Sequence, residues 1–356
     1  MKVMLTAVIM VVVLTVLVLL DEANYQAEKV AFTAAGNRLS GSLLMPEKAN
    51  KPWPVALVVH GDGATDRTSS GYYQPYFEAL LAAGIAVFSW DKPGVGASEG
   101  SWLQQSMDDR SQEVLAAIHY LRSRDDVSPD NIGVMGFSQA GWVLPAVLAQ
   151  DANLAFAVFV STAINWREQG RYLTRQRLSA LGLSESDIEA SLAYNQKMDQ
   201  QLAQGISYQD YLDLRQQLPA ALSDGSAMSP ERFGFVVKNI HVDASATLPV
   251  ISQPVLAVFA DSDQQVDVQQ SIAVYSAQLG AQFHHQVYPD ADHALFKHRY
   301  FQHQPKDGLW FWLKMIVLGE EGLADGVTTD IAHWIEQQLG GNKSQPSNAA
   351  RSLVNG

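Results

Sequence analysis

Six residues, Gly136-Phe137-Ser138-Gln139-Ala140-Gly141, separate a short apolar run, Asn131 to Met135, from a helical stretch, Trp142 to Gln150. The run reads as a buried strand, so these six residues must turn a strand into a helix within a few positions. A serine with Gly two places before it and Ala two places after it, at such a junction, is the pattern of a nucleophile elbow. The turn is sharp, so the neighbours at minus two and plus two must be small. Its strain lifts the Ser138 hydroxyl out of the sheet and aims the backbone N–H of Gln139 at a carbonyl oxygen under attack. Ala140 stands where a second Gly is usual, with Gly141 one place later, which makes a tighter but workable turn.

Partners for the serine lie on both sides of it. Upstream, the buried run Val55 to Val59 ends in His60-Gly61-Asp62-Gly63. Gly61 and Gly63 let backbone approach a ligand closely. One strand-and-helix unit before the elbow, this loop reads as the second half of an oxyanion hole. The N–H of Asp62 is the favoured donor, that of Gly63 the second choice, and His60 is structural. Downstream, the strand-like run Pro254 to Phe259 leads into Ala260-Asp261-Ser262-Asp263-Gln264-Gln265-Val266-Asp267. A carboxylate just past the carboxyl end of a parallel strand faces the crevice where such sheets hold ligands. Asp263 is preferred as the acid, with Asp267 its main rival, because a loop or helix-start aspartate is commonly a cap. A last strand, Gln282 to Tyr288, precedes Pro289-Asp290-Ala291-Asp292-His293. His293, in the loop before a helix expected over Tyr300 to Val317, is placed to take the proton of Ser138 as general base. His284 and His285 fall within the strand, and His298 and His303 at a helix start.

The order Ser138, Asp263, His293 is nucleophile, acid, base, the chain order of the α/β-hydrolase fold. On these residues, together with the Asp91-Lys92-Pro93-Gly94-Val95-Gly96-Ala97-Ser98 loop and Asp292, the chain resembles bacterial α/β-hydrolases of the serine aminopeptidase-like or dienelactone-hydrolase-like type. The resemblance runs from about Val30 to Leu318, apart from one insertion. It implies an α/β fold with a mostly parallel central sheet, flanking helices and a helical cap. It also implies a serine hydrolase with no metal and no organic cofactor, acting on a small-molecule acyl substrate. Where that family has Arg-Gly after the loop aspartate, this chain has Lys92-Pro93-Gly94, which bears on a structural Arg contact and not on the chemistry. An ester or thioester substrate is favoured. A serine aminopeptidase-like peptidase is the alternative, with Glu168 as the carboxylate for a substrate ammonium, and a non-catalytic, membrane-tethered binding protein is the third reading.

Composition limits the remaining choices. A net charge of −13 disfavours a nucleic-acid partner, which requires clustered Lys and Arg, and equally a basic membrane-binding patch. The absence of cysteine excludes disulfides, thiolate metal sites and a cysteine nucleophile. Val3 to Leu20 carries no charge and only Thr6 and Thr15 as polar members. At 1.5 Å per residue such a segment spans roughly 27 Å, close to a bilayer core of about 30 Å. Lys2 before it and Asp21 and Glu22 after it orient the rest of the chain outward, on the extracytoplasmic side. An uncleaved signal anchor is favoured over a cleaved signal peptide, because no small-x-small cleavage site follows.

The expected organisation is a signal anchor or signal peptide over 1–22 and a core in two parts, 28–164 and 248–340. A helical cap occupies 165–247 and a disordered tail 341–356. Val30 to Ala34 and Leu39 to Leu44 alternate around Gly36-Asn37 as an opening hairpin. From Val55 onward buried strands alternate with helical runs, the signature of a parallel sheet with crossover helices. These are a helix over Tyr72 to Ala83, a strand over Ile85 to Trp90, a helix over Met107 to Arg124 and a strand over Leu154 to Val160. The pattern breaks between Asn165 and Thr247, a stretch rich in Gln, Arg, Leu and Tyr. Within it Arg167, Arg171 and Arg175 recur every four residues and share a helix face. That face reads either as a clamp for a substrate carboxylate, through Arg167 and Arg171, or as a solvated surface balanced by Glu168. Trp166, Tyr172 and Tyr194 are candidate pocket residues. A last helix is expected over Thr328 to Leu339.

Overall fold

Val55, Leu57 and Val59 project to one side of their strand, Ala56 and Val58 to the other, and both sides are buried. The same alternation holds in Val255 to Ala260, where odd-numbered residues face one apolar layer and even-numbered residues the opposite one. A strand buried on both faces belongs in the middle of a helix-covered parallel sheet. The computed structural model, which describes residues 25–47, 49–217, 227–301 and 308–342, has that architecture.

Among the described residues eight strands form one sheet: β1 (Tyr25–Ala34), β2 (Asn37–Pro46), β3 (Trp53–Val59), β4 (Ala86–Trp90), β5 (Val127–Phe137), β6 (Ala157–Val160), β7 (Val255–Ala260) and β8 (Phe283–Tyr288). Their order is β1-β2-β4-β3-β5-β6-β7-β8, with β1 and β2 antiparallel and all strands from β3 to β8 parallel. On one face lie α2 (Met107–Arg122), α3 (Leu144–Gln150) and α8 (Val268–Leu279). On the other lie α1 (Gln74–Ala82) and α11 (Val327–Asn342). Each fully buried Val, Leu or Phe in the central strands contributes about 2 kcal/mol by leaving water, and this two-sided burial holds the sheet between its helices.

Several boundaries differ from expectation for local reasons. The hairpin turns at Ala35-Gly36, not at Gly36-Asn37: both central residues have positive φ (48° and 79°), and Asn37 already pairs with Ala34. A two-residue turn of this twist matches the flanking strands and keeps Phe32 opposite Leu39 on the buried face. The helix after the elbow does not start at Trp142. Ser138–Trp142 forms a 3-10 turn, and α3 begins beyond it with Pro145 in its first turn. The expected helix over Tyr300 to Val317 is two pieces, α9 (His298–Phe301) and α10 (Leu309–Leu318).

Between β6 and β7 the chain builds α4 (Trp166–Ala180), α5 (Glu185–Ala203), α6 (Tyr208–Gln216) and α7 (Pro230–Asn239). Asn165, Ser184, Ser207 and Ser229 cap these four helices, each side chain accepting backbone N–H bonds of the first turn. Asn165 also pairs with Asp243, so the chain departs from and returns to the sheet at adjacent points. Val3 to Leu20 and 343–356 lie outside the described residues. Among the described residues no helix is long and apolar enough to cross a membrane.

Candidate active site

The carboxyl ends of four parallel strands carry the candidate residues: His60 to Gly63 after β3, Ser138 after β5, Asp263 after β7 and His293 after β8. Ser138 has φ +50°, the left-handed conformation that raises its side chain above the strand. The small neighbours have measurable reasons. A Cβ on Gly136 would lie 2.7 Å from the Ala140 Cβ and 2.5 Å from Leu144, and one on Gly141 would lie 2.3 Å from the Ala163 carbonyl oxygen.

Three side chains distant in sequence meet here. His293 Nε2 is 3.0 Å from Ser138 Oγ, and His293 Nδ1 is 2.7 Å from Asp263 Oδ2. Nδ1–H donates to the carboxylate, so Nε2 is left to accept from the serine hydroxyl. The other oxygen of Asp263 accepts the N–H groups of Gln265 and Val266, at 2.7 and 2.9 Å, which fixes the buried carboxylate. Asp267 has a different post: its side chain caps α8 by accepting from Gln270 N. Asp261 is exposed and accepts from Ser262.

Gly61, Asp62, Phe137, Ser138, Ser161 and His293 are among the residues that line a cavity of about 240 Å³, with Tyr72 and Tyr73 as its aromatic wall. Gly63 is not part of that lining. It has φ +94°, its N–H bonds the Asp62 carboxylate, and its carbonyl accepts from Lys92 Nζ. Gln139, also outside the lining, is the second residue of the 3-10 turn, so its N–H precedes the first intrahelical bond.

Buried charges that sequence reasoning did not find surround the loop. Lys92 Nζ donates to the carbonyls of Gly61 and Gly63, and burial together with nearby Arg110 depresses its pKa well below that of a free lysine. Arg110 on α2 donates to Gln139 Oε1 at 2.5 Å and to the His60 carbonyl at 2.7 Å. Glu113, one turn along the same helix, accepts from Trp90 Nε1 and Gln105, and burial raises its pKa. Asp91 is paired through both oxygens with Arg67, so the structural arginine contact comes from a different place in the chain than in the family's pattern. Polar residues in otherwise apolar runs were the available signal, but not their partners.

Arg167 and Arg171 are not brought to Ser138. They line a separate cavity of about 410 Å³ between α4 and α5, with Trp166 and Asp199. Arg167 is tied to the Ile240 carbonyl and to His241, and Arg175 pairs with Glu185 and Glu189. Spacing placed these arginines on one helix, but the site lies on the other side of it. Glu168 also lies away from Ser138, accepting from Gln270. Tyr172 and Gln169 on α4 instead brace the acid loop, donating to the carbonyls of Asp263 and Gln265. Trp166 stacks on Trp142 with ring centroids 4.5 Å apart, and Tyr194 bonds the Leu214 carbonyl. Among the described residues no group of three His, Cys, Asp or Glu side chains can hold a metal ion.

The Hydrolase_4 family model, serine aminopeptidase S33, matches residues 51–299. The chain belongs to this family. Its fold is that of the α/β-hydrolases: it superposes on esterase Pf2001 of Pyrococcus furiosus with a TM-score of 0.54 at 17% identity, covering 88% of this chain and 91% of the other. Est1E of Butyrivibrio proteoclasticus gives 0.54 at 16% identity, covering 88% and 99%. Among curated relatives, Escherichia coli O157:H7 YfhR, itself uncharacterized, is 31% identical over 127 residues, or 35% of this chain and 43% of YfhR. Esterase FrsA of Photorhabdus laumondii is 28% identical over 116 residues, 32% of this chain and 26% of FrsA. The chain thus spans less than half the length of the curated relatives it matches. The matched family is one of hydrolases.

Proposed function

We propose that this family member is a serine esterase for short acyl esters, working through an acyl-enzyme. Ser138 Oγ attacks the ester carbonyl while His293 Nε2 takes its proton. Asp263 holds the imidazole by Nδ1–H and stabilises its charged form. The backbone N–H groups of Asp62 and Gln139 receive the oxyanion. As the tetrahedral intermediate collapses, His293 gives its proton to the leaving alcohol. Water then attacks the acyl-serine with His293 as base and releases the acid. The observation that carries this reading is the 3.0 Å and 2.7 Å pair of contacts at His293, with Ser138 held in a left-handed turn.

Two features support the substrate class. A cavity of about 240 Å³ suits an acetyl to butyryl group rather than a long chain. Its one carboxylate among the described lining residues, Asp62, is bound by Gln139 and Arg232, which leaves no free anion for the ammonium of an aminoacyl substrate. The inserted helices serve as the cap, with α4 bracing the acid loop. The test is hydrolysis of p-nitrophenyl acetate, butyrate and octanoate beside alanyl p-nitroanilide. The wild type is expected to prefer the two shorter esters. Ser138→Ala should lower kcat by about 10⁴ or more and abolish labelling by a fluorophosphonate. Undiminished turnover in that variant would overturn the mechanism, and preference for the anilide would overturn the substrate class.

A further inference from the structure

The loop that offers the Asp62 N–H is flanked by Gly61 and Gly63, so its own backbone does little to fix the donor's direction. The fixing contacts come from side chains. Asp62 Oδ1 accepts from Gln139 Nε2 at 3.0 Å, which joins the residues of the two oxyanion donors directly. Arg232, on α7 of the inserted helices, forks onto the same carboxylate, with its two nitrogens at 3.0 and 2.7 Å from Oδ1 and Oδ2. The far side of Gln139 is held by Arg110, which also grips the His60 carbonyl. The guanidinium of Arg232 is itself seated, 4.9 Å over Phe235 and 5.6 Å over Trp102.

Stability alone is a poor account of this fork. Arg232 and Asp62 are partly open to solvent, and ion pairs so placed add little to folding. Bidentate geometry does supply orientation, and a small misplacement of a group at a reacting centre costs far more in rate than in stability. We propose that Arg232 is a positioning residue for the oxyanion hole: through Asp62 it sets the aim of the loop, so the inserted helices govern turnover as well as access. This rests on the esterase reading above and adds that the site is incomplete without α7.

The experiment is steady-state hydrolysis of p-nitrophenyl butyrate by wild type, Arg232→Met, Arg232→Lys, Asp62→Asn and the Arg232→Met/Asp62→Asn double variant. Urea midpoints establish that each is folded. Arg232→Met should lose about tenfold in kcat with KM within about threefold, because the donor is misaimed rather than removed. Arg232→Lys should recover part of the loss, as a point charge that cannot fork. In the Asp62→Asn background, Arg232→Met should add less than about twofold, because both act through one contact. The inhibition constant of a trifluoromethyl ketone, whose serine adduct carries the oxyanion, should rise by the factor that kcat/KM falls. Unchanged kcat in folded Arg232→Met, a loss confined to KM, or additive losses with Asp62→Asn would overturn the proposal. None of those outcomes touches the esterase reading, which falls if wild type fails to turn over the esters, if it prefers the anilide, or if Ser138→Ala keeps its turnover.

Discussion

Lowering the pH should destabilise this protein through His60, by an amount the structure allows to be worked out. The ring is 1% exposed, stacked against Tyr73 with an interplanar angle of 3°. Nε2–H donates to the Trp90 carbonyl at 2.5 Å, which leaves Nδ1 as the basic atom, 3.4 Å from the Tyr73 hydroxyl. Burial pushes its pKa down to about 3; the Trp90 bond opposes this, while Lys92 and Arg110 add to it. The unfolded chain protonates this histidine near its ordinary 6.5, whereas the folded chain stays neutral until about 3. The stabilisation from the neutral ring is therefore complete above pH 6.5 and is lost as pH falls, at about 1.4 kcal/mol per unit. Two units down, at pH 4.5, the loss is about 2.7 kcal/mol, a substantial part of a typical folding free energy of about 5–15 kcal/mol. Urea unfolding at pH 7.5, 6.5, 5.5 and 4.5 measures it, with His60→Gln as the partner experiment, since the amide can still donate to Trp90. His60→Gln should be less steep between pH 7.5 and 4.5 by that amount, whatever its offset at neutral pH. Parallel curves for the two proteins would refute the reasoning.

Three further outcomes test the frame around the site. Arg67→Lys keeps the charge but loses the fork onto Asp91 and the contacts to Gly41 and the Ser40 and Ser42 hydroxyls, and should cost about 2 kcal/mol in urea unfolding. Gly141→Ala, whose Cβ would lie 2.3 Å from a backbone oxygen, should cost about 3 kcal/mol. Gly170→Ala, in open space within α4, should instead add about 1 kcal/mol, with kcat/KM unchanged. Differential scanning calorimetry and ester turnover distinguish the two glycine outcomes.

The frame of this fold was readable because its central strands are buried on both faces and so appear as unbroken apolar runs, as in Val55 to Val59 and Val255 to Ala260. The elbow was readable for a related reason: Gly136 and Gly141 are small because neighbouring atoms occupy the space a Cβ would need, and that need recurs at fixed offsets from the serine. Pairing between distant polar groups left no such trace. Arg232 and Asp62 are 170 residues apart, and nothing in a helix period says which loop a guanidinium will reach. Arg167 and Arg171 illustrate the limit from the other side. Their spacing specifies a shared face, but whether that face looks toward the serine depends on how α4 is laid across the sheet. The choice between Asp263 and Asp267 is of the same kind: both are loop acids after β7, and only the turn between them sends one to His293 and the other to the head of α8.

The bridge between Asn165 and Asp243 gives the helical insertion a narrow neck. A segment that departs and rejoins at neighbouring positions can be exchanged for another without disturbing strand register, which makes this region a natural place for relatives to diverge in what they accept. The cation at 232 attaches a condition to that freedom. Any transplanted segment that omits a guanidinium at the same point in space would leave the Asp62 carboxylate with only its bonds from Gln139 and the Gly63 N–H, and a chimaera built on this scaffold should be chosen with that one anchor in mind.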